Sequence, residues 1–203
     1  MSVARSKVFS ETYSRYIAEI GQIDFLGKAE ALGVEREGDV LLIPLYDTLY
    51  RLSGSGIEGP DGKELTPAVQ VMLCKYVLTC PSELPELRET LMTYREFKDS
   101  GPLVSNFTTN TNKTLESTFS GNVTGLKEKA LRMGGVEQPS DTYDLSLTFN
   151  VFPRIPVILN FNDKDDLFPA VCSVLYRASA ELFLDMECLA MTGTLLTGKL
   201  IKN

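Results

Sequence analysis

The chain has 203 residues, of which 43% are hydrophobic and 23% are charged, a composition typical of a globular protein with a core of its own. Its net charge is −7, with 20 Lys and Arg against 27 Asp and Glu, and no basic stripe offsets it, so we expect no nucleic acid partner. Histidine is absent, which excludes Ser-His-Asp and Cys-His catalysis and every metal site that needs an imidazole.

The N-terminal sequence, from Met1 to Lys7, is polar, and an amphipathic pattern follows it. We see neither the apolar core of a signal peptide nor a run long enough to span a bilayer. The sequence therefore predicts a cytoplasmic protein without a membrane partner.

The first 62 residues predict a helix, a second helical turn and a hairpin. Ser10 could cap the first helix, and the second pattern stops at Gly33. Apolar runs at 39–45 and 48–53 predict the two strands of a hairpin, whereas residues 54–62, with four Gly and a Pro, predict a loop. The apolar face of the first helix comprises Tyr13, Tyr16, Ile17 and Ile20.

The strongest helix signal begins at Thr66 and Pro67. Thr is a capping residue, and Pro is favoured at the first helical position. Pro81 ends the pattern. The predicted core face of this helix comprises Val69, Met72, Leu73, Tyr76, Val77 and Cys80.

The middle of the chain is less regular. Residues 81–101 predict no clear element. A helix preceded by a loop is predicted around 105–118, and a short helix at 122–133 is closed by Gly134 and Gly135.

The last third predicts two strands and a closing helix. Residues 141–151 and 155–161 alternate as antiparallel strands do, and a helix is predicted at 185–201. Because no repeat or linker interrupts the chain, we predict one α+β domain over residues 1–203, with antiparallel hairpins or a sheet packed against several α-helices. Apolar residues off the main face of the closing helix indicate burial on two sides or a homodimer contact. They are Leu184, Met191 and Leu195.

In this order, the elements resemble the domain of unknown function 3786 family over nearly the whole chain. The order and spacing of several segments carry the resemblance, and none of them is diagnostic alone. These segments are 31–34, 65–78, 94–97, 133–135, 152–156 and 165–170.

The resemblance implies an accessory role in anaerobic metabolism, with a protein partner. Members of this family are found mainly in anaerobic bacteria and archaea. Some are fused to iron-sulfur modules or lie near corrinoid and one-carbon methyl-transfer systems. Such neighbours imply a role only by association. Two departures weaken a carboxylate-based active site. Leu167 stands where the family usually has Glu, and Arg177 stands where a carboxylate often follows the next strand.

Three patterns that look like cofactor sites have simpler interpretations. Residues 54–59 read G-x-G-x-x-G but continue into a turn, and residues 193–200 mimic a P-loop inside a helical pattern and lack its Ser or Thr. We therefore predict no cofactor and no metal site. The four cysteines are interpreted as core thiols, with an iron-sulfur or zinc site as an alternative. They are Cys74, Cys80, Cys172 and Cys188.

The acidic turn contains the best candidates for chemistry: Asp163, Asp165 and Asp166. Carboxylates this close together repel, so at least one should have a raised pKa or a bound cation such as Mg²⁺ or Ca²⁺. The alternative is a solvated turn, which the Phe168-Pro169 pair would anchor on the core.

Arg95 and Glu96 form a second candidate, either as a pocket clamp for a carboxylate or phosphate or as a surface ion pair. The leading hypothesis is a non-catalytic accessory or binding protein. The alternative is a divalent-metal-dependent hydrolase or transferase that uses the three aspartates, with Arg95 holding an anionic substrate.

Overall fold

The computed structural model describes residues 3–62 and 64–202, in which α-helices pack against two antiparallel sheets. A six-residue π-helical segment, Thr108–Lys113, joins the short helices Val104–Phe107 and Thr114–Phe119. The helices are α1 (Val3–Ile20), α2 (Ala29–Leu32), α3 (Pro67–Thr79), α4 (Val104–Phe107), α5 (Thr114–Phe119), α6 (Val123–Arg132) and α7 (Met186–Lys202). Within the described ranges, we find no helix that is both long and apolar enough to cross a membrane.

The first sheet is a meander of four strands. The second sheet has five strands in the order Leu91–Thr93, Val171–Arg177, Ile155–Asn162, Leu145–Phe152 and Val136–Gln138. Both are wholly antiparallel, so the predicted α+β class is confirmed. The strands are β1 (Glu35–Glu37), β2 (Val40–Leu45), β3 (Thr48–Ser53), β4 (Gly56–Glu58), β5 (Leu91–Thr93), β6 (Val136–Gln138), β7 (Leu145–Phe152), β8 (Ile155–Asn162) and β9 (Val171–Arg177).

The predicted hairpin is confirmed. Buried and partly exposed side chains alternate along β2, which gives one core-facing row. Leu45 pairs with Thr48, so Tyr46 and Asp47 form a two-residue loop. The backbone N–H of Tyr46 donates to the carbonyl of Val151 in β7 at 2.9 Å, which ties the tip of the hairpin to the second sheet.

The outer edge of β9 is covered by a strand at one end and by a helix at the other. β5 pairs only with residues 175–177 of β9. Farther along, the N–H of Cys172 donates to the buried carboxylate of Glu116 in α5 at 3.1 Å, and Lys113 pairs with the same carboxylate at 2.7 Å. Glu116 therefore satisfies an edge N–H that would otherwise lack a partner.

The helix predicted after Thr66 is confirmed, with the Thr66 hydroxyl accepting the N–H of Val69 at 3.4 Å. The helix ends at Thr79. Lys28 donates to the carbonyls of Val77 and Cys80 at 3.1 and 2.7 Å, which satisfies the end of the helix.

Several elements differ from the predictions. The first helix begins at Val3, so Ser10 lies inside it and does not start it. Part of the predicted loop at 54–62 is a strand, because Gly56–Glu58 pairs with β3. The helix predicted around 105–118 is interrupted by the π-helical segment.

The strand predicted at 141–151 begins later, at Leu145. The Ser140 hydroxyl accepts the N–H groups of Thr142 and Tyr143, at 3.2 and 3.0 Å, and holds these residues in a turn. Tyr143 is 36% exposed, so it does not belong to the buried face of the strand as predicted.

Candidate functional site

The acidic turn, residues 163–168, uses carboxylates to hold backbone amides. Asp165 Oδ1 accepts the N–H groups of Leu167 and Phe168, each at 2.7 Å. Asp163 Oδ1 accepts the N–H of Gly121 at 2.6 Å and that of Lys164 at 2.8 Å. These bonds favour the ionised carboxylates and give both side chains a structural role.

The sequence predicted a raised pKa or a bound cation for at least one of the three carboxylates; for Asp163 and Asp165 the pKa is lowered instead. For Asp163, slight burial raises the pKa, but backbone N–H groups, with that of Gly121 foremost, outweigh it and lower the pKa below its usual value. Hydrogen bonds from the N–H groups of Leu167 and Phe168 lower the pKa of Asp165. The repulsion expected from sequence is overcome because amide dipoles are the nearest partners.

Phe168 is 67% exposed, so the expectation that it anchors the turn on the core is wrong. The two amide bonds to Asp165 curl the backbone and leave the side chains of Leu167 and Phe168 in solvent. Asp166 is exposed as well.

Arg95 and Glu96 do not join the acidic turn. Glu96 Oε2 accepts the N–H of Thr93 at 2.7 Å and its hydroxyl at 2.6 Å, which makes a capping box for a short 3₁₀ turn. Arg95 is exposed, and no hydrogen bond or ion pair between described residues links either side chain to Asp163, Asp165 or Asp166.

All four cysteines are buried and free. Burial raises the pKa of Cys74 to about 12 and raises that of Cys172 and Cys188 as well, which disfavours the thiolate that a metal would need. In the described part of the chain, we find no three Cys, Asp or Glu side chains grouped to hold a metal ion. The metal-dependent alternative stays a prediction from the sequence.

A cleft of about 610 Å³ lies between α3 and α7, and it is the best candidate site. Most of its wall is apolar, with polar and charged groups at the margins. The lining comprises Asp47, Thr66, Ala68, Val69, Met72, Leu103, Asn106, Glu187, Ala190, Met191, Thr194, Leu195, Gly198, Lys199 and Lys202.

One stripe of α7 forms a long side of the cleft. Met191 and Leu195, which lie off the main apolar face of the helix, are half-buried and line the cleft. Gly198 also lines it, and a Cβ added there would meet nothing within 4 Å. Leu184, which the sequence grouped with Met191 and Leu195, is fully buried in the core.

The two helices lie antiparallel. Lys75 in α3 pairs with Asp185, just before α7, at 3.1 Å, and the rings of Tyr76 and Phe183 lie 5.8 Å apart. The first turn of α3 therefore lies at the same end of the cleft as Lys199 and Lys202. The positive end of the α3 dipole and the negative end of the α7 dipole offset each other here, so the positive charge at this end comes from the two lysines.

The hairpin tip closes this end of the cleft. Tyr46 has a positive φ of 55°, a conformation that Gly or Asn usually supplies in a two-residue hairpin loop. Its hydroxyl donates to the carbonyl of Thr192 in α7 at 2.8 Å, and the next residue, Asp47, pairs with Lys199 at 2.5 Å. We infer that these contacts to α7 offset the backbone strain.

Electrostatics hold Asp47 as a carboxylate. Partial burial raises its pKa, but the hydrogen bond and charge of Lys199 outweigh this effect, with a further bond from Thr48, and the pKa is lowered overall. The Lys199 ammonium also bonds the Thr48 hydroxyl at 3.2 Å. Lys199 is thus fixed at the mouth of the cleft.

Two further tyrosines fix α7 from the side of the second sheet. Tyr94 donates to the carbonyl of Met186 at 2.7 Å, and burial raises its pKa to about 12, so it remains a donor. The Tyr176 hydroxyl lies 2.9 Å from that of Thr192, which donates to the carbonyl of Leu189 at 2.7 Å. The cleft wall is therefore a rigid element of the fold.

The N-cap of α7 gives a pH-dependent prediction. Asp185 accepts the N–H of Cys188 at 2.9 Å and pairs with Lys75. Burial raises the pKa of Asp185, but these two interactions outweigh the effect of burial, and the pKa is lowered overall. Because the pKa of Asp185 is lower in the folded protein, its ionised carboxylate stabilises the fold fully at pH values above its pKa in the unfolded chain, about 3.9. This stabilisation is lost as the pH falls through the pKa of the folded protein. Asp185→Ala should therefore lower the free energy of unfolding by about 1 kcal/mol at pH 7 and by less at pH 2.

Urea denaturation of Asp185→Ala across pH 2–7 checks this, with Asp166→Asn as the matched exposed control. An effect of Asp185→Ala that is equally large at pH 2 would contradict the assignment of the ionised carboxylate as the cap.

The sequence missed the cleft residues, although two signals were present. Met191 and Leu195 stood off the apolar face of the closing helix, and Tyr46-Asp47 filled a hairpin loop where Gly or Asn is usual. Neither signal showed that helices separated by about 110 residues would meet there.

Comparison with known proteins gives a family and no named relative. No curated protein and no solved structure matches the chain. Residues 24–199 match the sequence model of the family described as "Domain of unknown function (DUF3786)". The chain therefore belongs to this family.

Proposed function

We propose that the protein is a non-catalytic binding protein whose ligand is a small amphipathic anion held in the cleft between α3 and α7. The observation that carries this proposal is the cleft itself, about 610 Å³ with an apolar wall and two lysines at one end. Ligand sites of small molecules typically have this size, with mostly apolar linings and a few placed polar groups.

The apolar part of the ligand would lie along α7. Met191 and Leu195, both half-buried, offer flexible and branched apolar surface there. Each methylene removed from water contributes about 0.8 kcal/mol, so a chain of several methylenes gives useful affinity without any covalent chemistry.

The anionic part would lie at the end that Lys199 and Lys202 share with the first turn of α3. Asp47 neutralises Lys199 in the free protein, whereas Lys202 is exposed at the margin. Glu187, at the other end of the lining, would repel the head group and so favours one orientation.

A binding role fits the chemistry of the lining better than turnover. Its titratable groups are two acids and two lysines, and Asp47 is engaged with Lys199 as a carboxylate. We extend the proposal to a cytoplasmic accessory role beside a partner in anaerobic corrinoid or iron-sulfur one-carbon metabolism. Support for that extension is the association implied by the family resemblance.

Isothermal titration with dodecanoate tests the binding proposal. Gly198→Leu fills the cleft from a position with open space, so we expect it to weaken dodecanoate binding at least about 10-fold. The matched control, Gly198→Ala, adds only a methyl group and should bind within about twofold of the wild type.

Charge is tested with dodecyltrimethylammonium, which has the same chain and the opposite sign. We expect it to bind more weakly than dodecanoate. Equal binding of both probes, or dodecanoate binding that Gly198→Leu leaves unchanged, would contradict the proposal.

A further inference from the structure

Two consecutive residues with large apolar side chains are exposed to solvent at the tip of the acidic turn. Leu167 is 82% exposed and Phe168 is 67% exposed, and Val171, just beyond them, is 53% exposed. None of these residues lines the cleft between α3 and α7. Isolated exposed apolar residues are ordinary, but an adjacent pair with this exposure on one turn indicates a contact surface.

The turn that carries them is fixed by hydrogen bonds. The N–H of Asp165 donates to the carbonyl of Phe168 at 3.0 Å, in addition to the two amide bonds that its carboxylate accepts. Asp163 ties the turn to Gly121, and its own N–H donates to Asp144 at 2.7 Å. A fixed turn loses little conformational entropy on binding, which favours affinity.

The surroundings of the tip are strongly acidic. The two loops at this end of the second sheet, residues 139–144 and 163–170, contain five carboxylates and one ammonium group. They are Asp141, Asp144, Asp163, Asp165 and Asp166 against Lys164. Hydrogen bonds from Asp163 N–H to Asp144 and from Asp144 N–H to Asn162 hold the two loops together.

We propose that Leu167 and Phe168 dock into an apolar pocket of a partner protein and that Lys and Arg residues border this pocket. In the complex, the burial of Leu167 and Phe168 provides the affinity, as aromatic anchors do at protein interfaces. The surrounding carboxylates provide the charge complementarity. This surface is separate from the ligand cleft and stands whether or not the cleft binds an anion.

The charges argue against the two other occupants. A symmetric contact between two copies of this turn would bring the two sets of carboxylates together, which is unfavourable. An anionic lipid surface attracts basic segments, and the same five carboxylates would be repelled by it.

Photo-crosslinking followed by binding measurements tests the proposal. The full chain carrying p-benzoylphenylalanine in place of Phe168 is irradiated in lysate of the cells that make it, beside a control with the same group in place of Leu131 on α6, which is 47% exposed. The protein that crosslinks at 168 and not at 131 is then purified, and its affinity for the full chain is measured by isothermal titration.

We expect Leu167→Ser and Phe168→Ser each to weaken binding at least about 10-fold, and the double variant about 100-fold, while Leu131→Ser and Val136→Ser stay within about twofold of the wild type. Asp166→Lys, which keeps the apolar pair, should weaken binding about threefold or more and reduce its salt dependence. Unchanged melting temperatures confirm that the variants are folded.

Four results would overturn the proposal. The first is the lack of a reproducible crosslink specific to position 168, and the second is a partner whose affinity the double variant leaves unchanged. The third is dimerisation of the wild type that Phe168→Ser abolishes. The fourth is sedimentation of the wild type with vesicles of dioleoyl phosphatidylcholine and phosphatidylglycerol that Phe168→Ser abolishes.

Discussion

Gly193→Ala is expected to lower the free energy of unfolding by about 3 kcal/mol, because α7 packs against Phe107 without room for a methyl group. A Cβ at this position would lie 2.5 Å from Phe107 Cε2 and 2.9 Å from Thr111 Oγ1. The Phe107 ring cannot easily move away, since it is 3% exposed and stacks on Tyr94 with centroids 4.4 Å apart.

Gly198→Ala is the matched control on the same helix. Nothing lies within 4 Å of its added Cβ, and Ala is a better helix former than Gly, so the variant should be neutral or more stable by up to about 1 kcal/mol. Urea denaturation of both variants measures the contrast. A loss below about 0.5 kcal/mol for Gly193→Ala would show that α7 can move, and it would undermine the rigid cleft wall.

Arg154→Met is expected to cost about 2–3 kcal/mol, because Arg154 closes the C-terminus of α2. Its Nε donates to the carbonyl of Ala31 at 2.9 Å, and its Nη2 donates to that of Glu30 at 2.7 Å. The next carbonyl, that of Leu32, accepts the hydroxyl of Tyr76 at 2.6 Å. Methionine keeps the apolar stem but removes the charged donor of both carbonyls; that of Glu30 keeps the N–H of Gly33 at 3.0 Å, whereas that of Ala31 loses the donor that Arg154 supplies.

Two further variants separate the contributions to this cap. Arg154→Lys keeps the charge but not the planar pair of donors, and we expect it to recover about half of the loss. Tyr76→Phe should cost about 1–2 kcal/mol by leaving the carbonyl of the fully buried Leu32 without its partner. Chemical denaturation measures all three, and an Arg154→Met variant as stable as the wild type would refute the cap.

Local signals in the sequence determine the elements that were predicted correctly. The Thr66-Pro67 start predicted α3 because capping and proline geometry act within one turn. The alternation before Phe152 predicted most of β7, and Asp185 marked the start of α7, where it caps the N–H of Cys188.

The elements that were missed depend on contacts between distant segments. β5 has three residues and exists because β9 offers it a partner. The orientation of the acidic turn depends on the amide of Gly121, which is 42 residues away from Asp163 along the chain. The cleft lies between α3 and α7, which are about 110 residues apart along the chain, so the pattern of neither helix encodes it.

Several segments that carry the family resemblance have structural roles. Arg154 closes α2, Glu96 caps the turn after β5, and Asp165 shapes the acidic turn. Each of these side chains satisfies backbone groups. Of the three, Glu96 and Asp165 were predicted as site residues, and no hydrogen bond between described residues links them.

Native mass spectrometry of the untagged protein, purified without oxygen from the cells that make it, tests the binding proposal most directly. We predict that the wild type retains a small amphipathic anion and that Gly198→Leu, purified in parallel, gives only the mass of the chain, while Gly198→Ala behaves as the wild type does. A wild-type protein that carries only its own mass, or a bound molecule that Gly198→Leu retains equally, would contradict the assignment of the cleft as the ligand site.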